Sequence, residues 1–219
     1  MNRAFPLILS APSGGGKTTI ARELLARRDD LGYSVSATTR PQRPGETHGT
    51  DYFFLTPTDF ADRVARGEFA EWAEVHGRQY GTLRSEVDRV LASGRNVVMD
   101  IDVQGAGQFV EAFPDSVLVF LLPPSAETLV TRLAGRRTEG PDAMRVRLTT
   151  AMRELAAVPL YHYVVVNDNL DDAVGRVSAI VDAERSRRDR ALLLDQRVDQ
   201  LLTDLDTQVA TSPLARTEP

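Results

Sequence analysis

The architecture follows from Leu7-Ile8-Leu9-Ser10-Ala11-Pro12-Ser13-Gly14-Gly15-Gly16-Lys17-Thr18, in which an apolar run leads directly into a glycine-rich loop. Glycines let backbone N–H groups converge on phosphate oxygens, and the helix that follows adds the positive end of its dipole. Lys17 supplies a positive charge, and Thr18 offers a hydroxyl to Mg²⁺. The stretch predicts a cradle for the phosphates of a nucleoside triphosphate. Its candidate residues are Ala11, Pro12, Ser13, Gly14, Gly15, Gly16, Lys17, Thr18 and Thr19.

The loop departs from the usual pattern at its first position, where Ala11 replaces a glycine. A methyl group is small enough to be tolerated there. The alternative interpretation is a glycine-rich turn that caps a helix and binds nothing. A strand before the loop and a helix after it favour phosphate binding, but the loop does not identify the acceptor of the phosphoryl group.

Apolar runs and helical patterns alternate along much of the chain. Short apolar runs bounded by turn residues predict buried parallel strands at 5–10, 96–101, 116–122 and 163–166. Amphipathic patterns predict helices at 18–28, 83–93, 126–134, 143–156 and 170–185. The alternation predicts an α/β fold with a doubly wound, mostly parallel sheet of the P-loop NTPase type.

Two segments interrupt this alternation. Residues 34–82 are rich in Gly, Thr, Arg and aromatic residues, with a strand-like run at 51–55 and a short helix at 58–66, and we interpret them as an inserted subdomain. A polar, arginine-rich stretch at 132–147 predicts a mobile loop between helices. The predicted division is a core (1–33, 87–130 and 160–219, with a C-terminal helix), a subdomain (34–86) and a lid (131–159).

Composition narrows the possible functions. The 219 residues, 42% hydrophobic and 26% charged, predict one substantial core. A net charge of -5 provides no general attraction for nucleic acid. The sequence has no cysteine, and its three histidines are scattered, which argues against a metal cluster. No apolar run approaches the roughly 20 residues of a membrane span, so we expect a cytoplasmic protein.

Two arginines beside prolines suggest a site for the acceptor phosphate. Arg40 and Arg43 lie in a turn-rich segment, and arginine favours bidentate contacts with phosphate. The phenols of Tyr52 and Tyr80 would complete such a clamp. Taken alone, this set is more often a solvated surface loop.

Glu71 follows an apolar segment, and a buried carboxylate needs a partner. Guanine is one candidate, because its N1–H and N2 amino group form a two-donor edge, whereas adenine presents an acceptor at N1. The hydroxyls of Ser36 and Thr82 would serve O6 and neighbouring atoms. The alternative is a glutamate paired with a surface arginine.

Two carboxylates, Asp100 and Asp102, follow a predicted core strand, where ligands of open α/β sheets bind. One would support Mg²⁺ through water, and the other would face the acceptor's base or ribose. The alternative is an aspartate that caps the next helix.

The second interruption carries several arginines. An arginine-rich lid that closes over both substrates would neutralise the charge of a phosphoryl transfer and exclude water. The alternative is an exposed helix face. The arginines concerned are Arg132, Arg136, Arg137 and Arg147.

The order of these motifs, from Leu7 to about Glu184, resembles the guanylate kinase family of bacterial type. The Arg-Pro-x-Arg-Pro-Gly-Glu segment is highly specific to that family, whereas the phosphate-binding loop is not. The supporting motifs are Ser-Val-Ser-Ala-Thr-Thr-Arg-Pro-Gln-Arg-Pro-Gly-Glu (34–46), Gly-Thr-Asp-Tyr-Phe-Phe (49–54), Phe-Ala-Glu-Trp-Ala (69–73), Tyr-Gly-Thr (80–82), Asp-Ile-Asp-Val-Gln-Gly (100–105), Leu-Pro-Pro-Ser (122–125) and Val-Asn-Asp (166–168).

The resemblance implies transfer of the ATP γ-phosphate to GMP with Mg²⁺. The implied GMP ligands are Arg40, Arg43, Tyr52 and Tyr80 for the phosphate, and Ser36, Glu71, Thr82 and Asp102 for the guanine. Those for ATP and Mg²⁺ are Lys17 and Thr18, with Arg132, Arg136 and Arg147 from the lid and Asn167 near adenine. At Arg137 the sequence differs from the family pattern, in which glycine usually follows the lid arginine. This difference affects the backbone geometry of the lid and not its chemistry.

Two other functions remain as rivals. A catalytically inactive, guanylate-kinase-like interaction module would hold a peptide in the acceptor cleft but would not need Lys17, Thr18 or the lid arginines. A P-loop kinase for another acceptor, such as a ribose phosphate, would not need Ser36, Glu71 and Thr82. Bacterial members form oligomers, which leaves the number of partner copies open.

Overall fold

The computed structural model describes residues 2–75, 77–134 and 141–211. In chain order the elements are β1 (Pro6–Ser10), α1 (Lys17–Arg27), β2 (Leu31–Tyr33), β3 (Ser36–Thr38), β4 (Phe53–Phe54), α2 (Pro57–Ala65), β5 (Phe69–Val75), β6 (Arg78–Leu83), α3 (Arg84–Ala92), β7 (Asn96–Asp100), α4 (Val103–Ala112), β8 (Val117–Leu122), α5 (Ala126–Ala134), α6 (Pro141–Ala156), β9 (Tyr163–Val166), α7 (Leu170–Arg185) and α8 (Leu194–Thr211).

The central sheet has five parallel strands in the order β2-β7-β1-β8-β9. Its four longer strands match the four apolar runs, which confirms the predicted α/β class. β1 is buried at every position, as expected for a strand covered on both faces. The edge strand β2 was not predicted, because three residues are too few to show a periodic pattern.

Parallel register brings the ends of the central strands to one edge of the sheet. Leu9 lies opposite Asp100 of β7, and Ser10 lies opposite Phe120 of β8. The Ser10 hydroxyl donates to the carbonyl of Ile101 at 2.7 Å, which ties the start of the phosphate-binding loop to the end of β7. The predicted carboxylate pair at 100 and 102 therefore lies beside the loop.

A second sheet, in the order β4-β3-β6-β5, occupies most of the inserted segment. β6 is antiparallel to both β3 and β5, and a small core around Phe60, Phe69 and Leu83 supports the sheet. Helix α2 lies against it and starts where the Thr56 side chain accepts from the Asp59 amide. The segment is thus a compact β unit with one helix.

Helices cover both faces of the central sheet. One apolar cluster joins β1 and β8 to α1 and α7, and another joins β7 to α3 and α4. The predicted helices at 126–134 and 143–156 correspond to α5, which ends at Ala134, and α6, which begins at Pro141, so the loop predicted at 132–147 overlaps the ends of both helices. Leucines of both helices, with Ala151, bury a small shared face, which explains why the helices extend into this stretch. The predicted lid residues Arg136 and Arg137 lie outside the described residues.

The C-terminal part is fixed to the core by a buried arginine. Arg190 lies 4.2 Å above the Phe5 ring and donates to Glu184 at 3.2 Å. Beyond it, α8 buries none of its residues. Among the described residues, no helix combines the length and the apolar character that crossing a bilayer requires.

Candidate active site

The glycines of the phosphate-binding loop are required by geometry. Gly14 and Gly16 have φ of 80° and 92°, in the left-handed region that side chains rarely adopt. A Cβ on Gly15 would lie 2.5 Å from the Ala11 methyl and 2.8 Å from the Pro12 carbonyl. The loop therefore turns tightly over Ala11 and leads directly into the first turn of α1, which is the geometry that the predicted anion site requires.

Two side chains, those of Asn167 and Glu154, hold this loop from outside, and Arg132 supports the first of them. The side-chain amide of Asn167, a residue that is 6% exposed, donates to the Gly15 carbonyl at 2.8 Å, while the backbone carbonyl of Asn167 accepts from Arg132 at 3.0 Å. Glu154 of α6 accepts from the Ser13 amide at 3.1 Å. Asn167 therefore positions the loop, and its predicted place near adenine stays a prediction. One Arg132 nitrogen, Nη1, is buried without a partner among the described residues.

The two predicted carboxylates take different partners. Asp102 pairs with Lys17, whose side chain is 15% exposed against 57% for the aspartate. Asp102 precedes α4 but makes no capping hydrogen bond through its side chain, so the helix-cap alternative is not supported. Asp100 accepts from Thr18 Oγ1 at 2.6 Å and from the Tyr33 hydroxyl at 3.2 Å. A hydroxyl and a carboxylate thus meet at the loop, where Mg²⁺ was predicted.

Glu71 lies in a closely fitted pocket. It is 8% exposed, and its Oε1 accepts from the Thr82 hydroxyl at 2.7 Å. Ser36 and Glu71 are both register partners of Thr82, which brings three of the four predicted guanine-binding side chains together. A Cβ on Gly105 of α4 would lie 2.5 Å from Glu71 Oε2, so only glycine leaves room there. Burial raises the pKa of Glu71, and the charge of Asp102 contributes in the same direction.

The predicted phosphate clamp is only partly assembled. Arg40 donates to Glu46 at 2.7 Å and lies 5.4 Å above the Tyr52 ring, which in turn contacts Tyr80 at 6.2 Å. The hydrogen bond from Arg40 lowers the pKa of Glu46. Arg43 is exposed, and its amide donates to the same glutamate at 2.8 Å. The Arg40 side chain is only 12% exposed and is paired with Glu46, so it is not a solvated loop residue.

These side chains line two neighbouring cavities. The first, of about 500 Å³, contains Lys17, Glu71, Thr82, Asp102 and Arg147. The second, of about 480 Å³, contains Arg40, Arg43 and Glu46. The residues common to both are Thr18, Tyr33, Tyr52, Tyr80 and Asp100. The phosphate loop and the acceptor residues thus share one continuous site.

Several residues of this site had no assigned role in the sequence analysis. Gly105 and Glu46 belong to quoted motifs but were given no role, and Glu154 was hidden within a helical pattern. Tyr33 falls in none of the predicted strands, helices or quoted motifs and is only the last residue of the predicted core segment 1–33. Residues 2–75, 77–134 and 141–211 hold no group of three or more His, Cys, Asp or Glu that could bind a metal ion by itself.

Comparison with known proteins gives a consistent result. The family model described as guanylate kinase matches residues 3–184. A guanylate kinase of Clostridium perfringens (strain SM101) is 45% identical over 202 residues, covering 91% of this chain and 94% of the relative. One from Thermotoga maritima is 48% identical over 180 residues, covering 82% and 87%. The crystal structure of guanylate kinase from Anaplasma phagocytophilum superposes with a TM-score of 0.73 at 32% identity, covering 91% and 96%.

Proposed function

This chain belongs to the guanylate kinase family, a group of nucleoside monophosphate kinases, and on that premise we propose that it transfers the γ-phosphate of Mg-ATP to GMP. The products are ADP and GDP. One observation carries the proposal: the buried carboxylate of Glu71 lines the same cavity as Lys17 of the phosphate loop. A carboxylate suited to guanine and a loop suited to a triphosphate lie in one cleft, as transfer of a phosphoryl group from ATP to GMP requires.

Glu71 recognises the guanine edge. Its Oε1 already accepts from Thr82, and its remaining lone pairs accept from the base N1–H and N2 amino group. Adenine presents an acceptor at N1, which would face the carboxylate without a proton between them. Mispairing of a buried charged group costs about 1–3 kcal/mol, which corresponds to roughly 5- to 150-fold in affinity.

The GMP phosphate binds where the aromatic and arginine side chains meet. Arg40 and Arg43 provide the bidentate donors, and the phenols of Tyr52 and Tyr80 supply further hydrogen bonds. Glu46 holds Arg40 in place through an ion pair. The phosphate therefore competes with Glu46 for one guanidinium that is already in place, so little reorganisation is needed.

The donor binds over the phosphate loop. Loop amides, the dipole of α1 and Lys17 hold the ATP phosphates. Mg²⁺ usually takes one or two protein oxygens together with phosphates and waters, and the Thr18 hydroxyl beside Asp100 fits that requirement. Those two residues would hold it, Asp100 through water. When bound, Mg²⁺ supplies neutralisation of phosphate charge.

The protein's contribution to the reaction is alignment and charge neutralisation. The acceptor is a phosphate oxygen that is already anionic, so the reaction needs no general base and no covalent intermediate. Lys17 and Arg147 line the cavity in which the transferring group would lie. Arg132, whose Nη1 is buried without a described partner, is placed beside Gly14 of the loop. We assign these three residues, with Arg40 and Arg136, to neutralisation of the developing charge.

Replacing Lys17 by alanine tests the proposal against the interaction-module alternative. Lys17 is the only lysine in the sequence. We expect Lys17→Ala to lower kcat by about a thousandfold, because it removes a charge that acts on the transferring phosphate. GMP binding, measured by calorimetry, should change by less than about threefold. Retained turnover in the variant, or no turnover by the folded wild-type protein, would count against the assignment.

A further inference from the structure

Tyr33 stands beside the reaction site, yet the proposed mechanism gives it no role. It is the last residue of β2, and the parallel register places it opposite Val98 of β7. Asp100 is two residues further along β7, so it lies on the same face about 7 Å beyond Val98. A phenol ring spans that offset, and the Tyr33 hydroxyl donates to Asp100 Oδ1 at 3.2 Å.

The two oxygens of Asp100 have donors from different elements. Thr18 Oγ1, in the first turn of α1, donates to Oδ2 at 2.6 Å. A hydroxyl that gives its proton to a carboxylate keeps its lone pairs for a cation. The terminal torsion of aspartate has a broad minimum, so one hydrogen bond leaves the carboxylate plane free to turn. A second donor on the other oxygen fixes that plane.

The location makes this orientation important. Thr18, Tyr33 and Asp100 line both cavities, the one over the phosphate loop and the one that contains Arg40. Donor and acceptor phosphates would meet at this boundary. A carboxylate that turned freely there would direct negative charge at the phosphates instead of at Thr18 and the cation, and catalysis depends on such charges being fixed in advance.

The hydroxyl and the ring of Tyr33 have separable tasks. The ring packs against the apolar cluster of β1, β8, α1 and α7 and so contributes to the fold. Only the hydroxyl reaches Asp100. We propose that Tyr33 is a positioning residue for phosphoryl transfer, which holds Asp100 Oδ1 so that Oδ2 stays on Thr18. This inference rests on the proposed function.

Tyr33→Phe removes the hydroxyl and keeps the ring. We expect kcat for GMP to fall about three- to thirtyfold, the range for loss of one hydrogen bond to a charged group, with both KM values within about twofold of wild type. Tyr163→Phe is the matched control, because the Tyr163 hydroxyl also donates to a carboxylate, that of Glu184 at 2.6 Å. Tyr163 starts β9, far along the strand from the cleft, and its variant should retain the wild-type kcat.

Two further readouts separate positioning from a general structural effect. In an Asp100→Asn background, Tyr33→Phe should cause no further loss of kcat, because the two residues act as one unit. Calorimetry without turnover measures the factor by which Mg²⁺ raises the affinity for ADP. This factor should be several-fold smaller in Tyr33→Phe than in wild type, whereas the affinity for metal-free ADP should be equal in the two proteins. The thermal midpoints of both phenylalanine variants should be compared first.

The outcomes distinguish failure of the inference from failure of the proposed function. If wild type does not phosphorylate GMP, the proposed function itself is wrong. If wild type is active and Tyr33→Phe keeps full kcat and the full effect of Mg²⁺ on ADP binding, Tyr33 has no positioning role. An equal loss in Tyr163→Phe, or additive losses with Asp100→Asn, would also overturn the inference.

Discussion

At the scale of single residues, the acceptor pocket contains a carboxylate that is buried without a cation beside it. Glu71 takes part in none of the ion pairs among the described residues, although only 8% of it is exposed. Its single described side-chain donor is a neutral hydroxyl, that of Thr82. Burying a carboxylate without a cation beside it costs stability. A ligand with two N–H donors would remove that cost, and guanine is such a ligand.

The raised pKa of Glu71 predicts that GMP binding releases a proton. Burial favours the protonated form in the free protein, whereas the N–H donors of guanine favour the ionised form. Between the pKa of the complex and the higher pKa of the free protein, binding therefore releases a proton, and affinity rises with pH. Calorimetry in buffers of different ionisation enthalpy measures the number of protons released.

Glu71→Gln is the control for this measurement, because the GMP phosphate also titrates near pH 6. The difference between wild type and the variant isolates the contribution of Glu71. We expect wild type to release more protons than Glu71→Gln below neutral pH. Equal release by both proteins would show that the carboxylate does not change its ionisation when GMP binds.

At the scale of secondary-structure elements, the sequence predicts those helices and strands whose residues show a clear local pattern. The strand, loop and helix around Lys17 form a continuous signal, and β1 and α1 begin and end within one residue of the prediction. Helix α4 was missed because Gly105 and Gly107 lower its helix propensity. β3, β5 and β6 were missed because they carry polar site residues where a regular alternation would place apolar ones.

The two glycines of α4 provide a matched test of the guanine pocket. Gly105→Ala would place a Cβ 2.5 Å from Glu71 Oε2 and 2.8 Å from Ile101, whereas Gly107→Ala meets nothing within 4 Å. Both variants gain helix propensity of about 1 kcal/mol. We expect Gly105→Ala to raise the KM for GMP about tenfold or more, because Glu71 must move. Its KM for ATP should stay within about twofold.

Gly107→Ala should keep both KM values and gain thermal stability. Steady-state kinetics with each substrate varied in turn measures the four constants. If Gly105→Ala binds GMP with the affinity of wild type, Glu71 is not the residue that recognises the guanine base. If both variants lose GMP binding equally, the effect comes from α4 as a whole and not from contact with the carboxylate.

At the scale of the whole molecule, the site forms where two sheets meet. The central sheet supplies Asp100, the loop supplies Lys17, and the second sheet supplies Glu71, so no single segment contains the reaction site. The chemistry of the sequence motifs was enough to predict these three residues. They could not predict that Glu154 and Asn167 hold the loop, because those contacts join residues more than 140 positions apart.

The long-range contacts of the C-terminal part have a stability role that should be separable from activity. Arg190 is 6% exposed and Glu184 is 4% exposed, and they form an ion pair in which the Arg190 guanidinium also lies over the Phe5 ring. We expect Arg190→Ala to lower the free energy of unfolding by about 3 kcal/mol, because it leaves a buried carboxylate with fewer partners. The KM for GMP should not change.

Urea denaturation measures this loss, and Arg188→Ala is the control, since Arg188 is exposed on the same short turn. A change in GMP binding with unchanged stability would contradict the separation of the two roles. Cytoplasmic location, a lack of nucleic-acid partners, the subdomain division and the number of partner copies stay predictions from sequence.

Release of ADP from Mg-ATP, with GMP, AMP, CMP and UMP offered separately, tests the central claim most directly. We predict rapid turnover with GMP and a kcat/KM that is lower by roughly 5- to 150-fold with each of the others, the scale of one mispaired buried carboxylate. Glu71→Gln should reduce that preference by lowering kcat/KM for GMP alone. Equal turnover of AMP and GMP, or none with any of the four by the folded protein, would contradict the proposed guanine site.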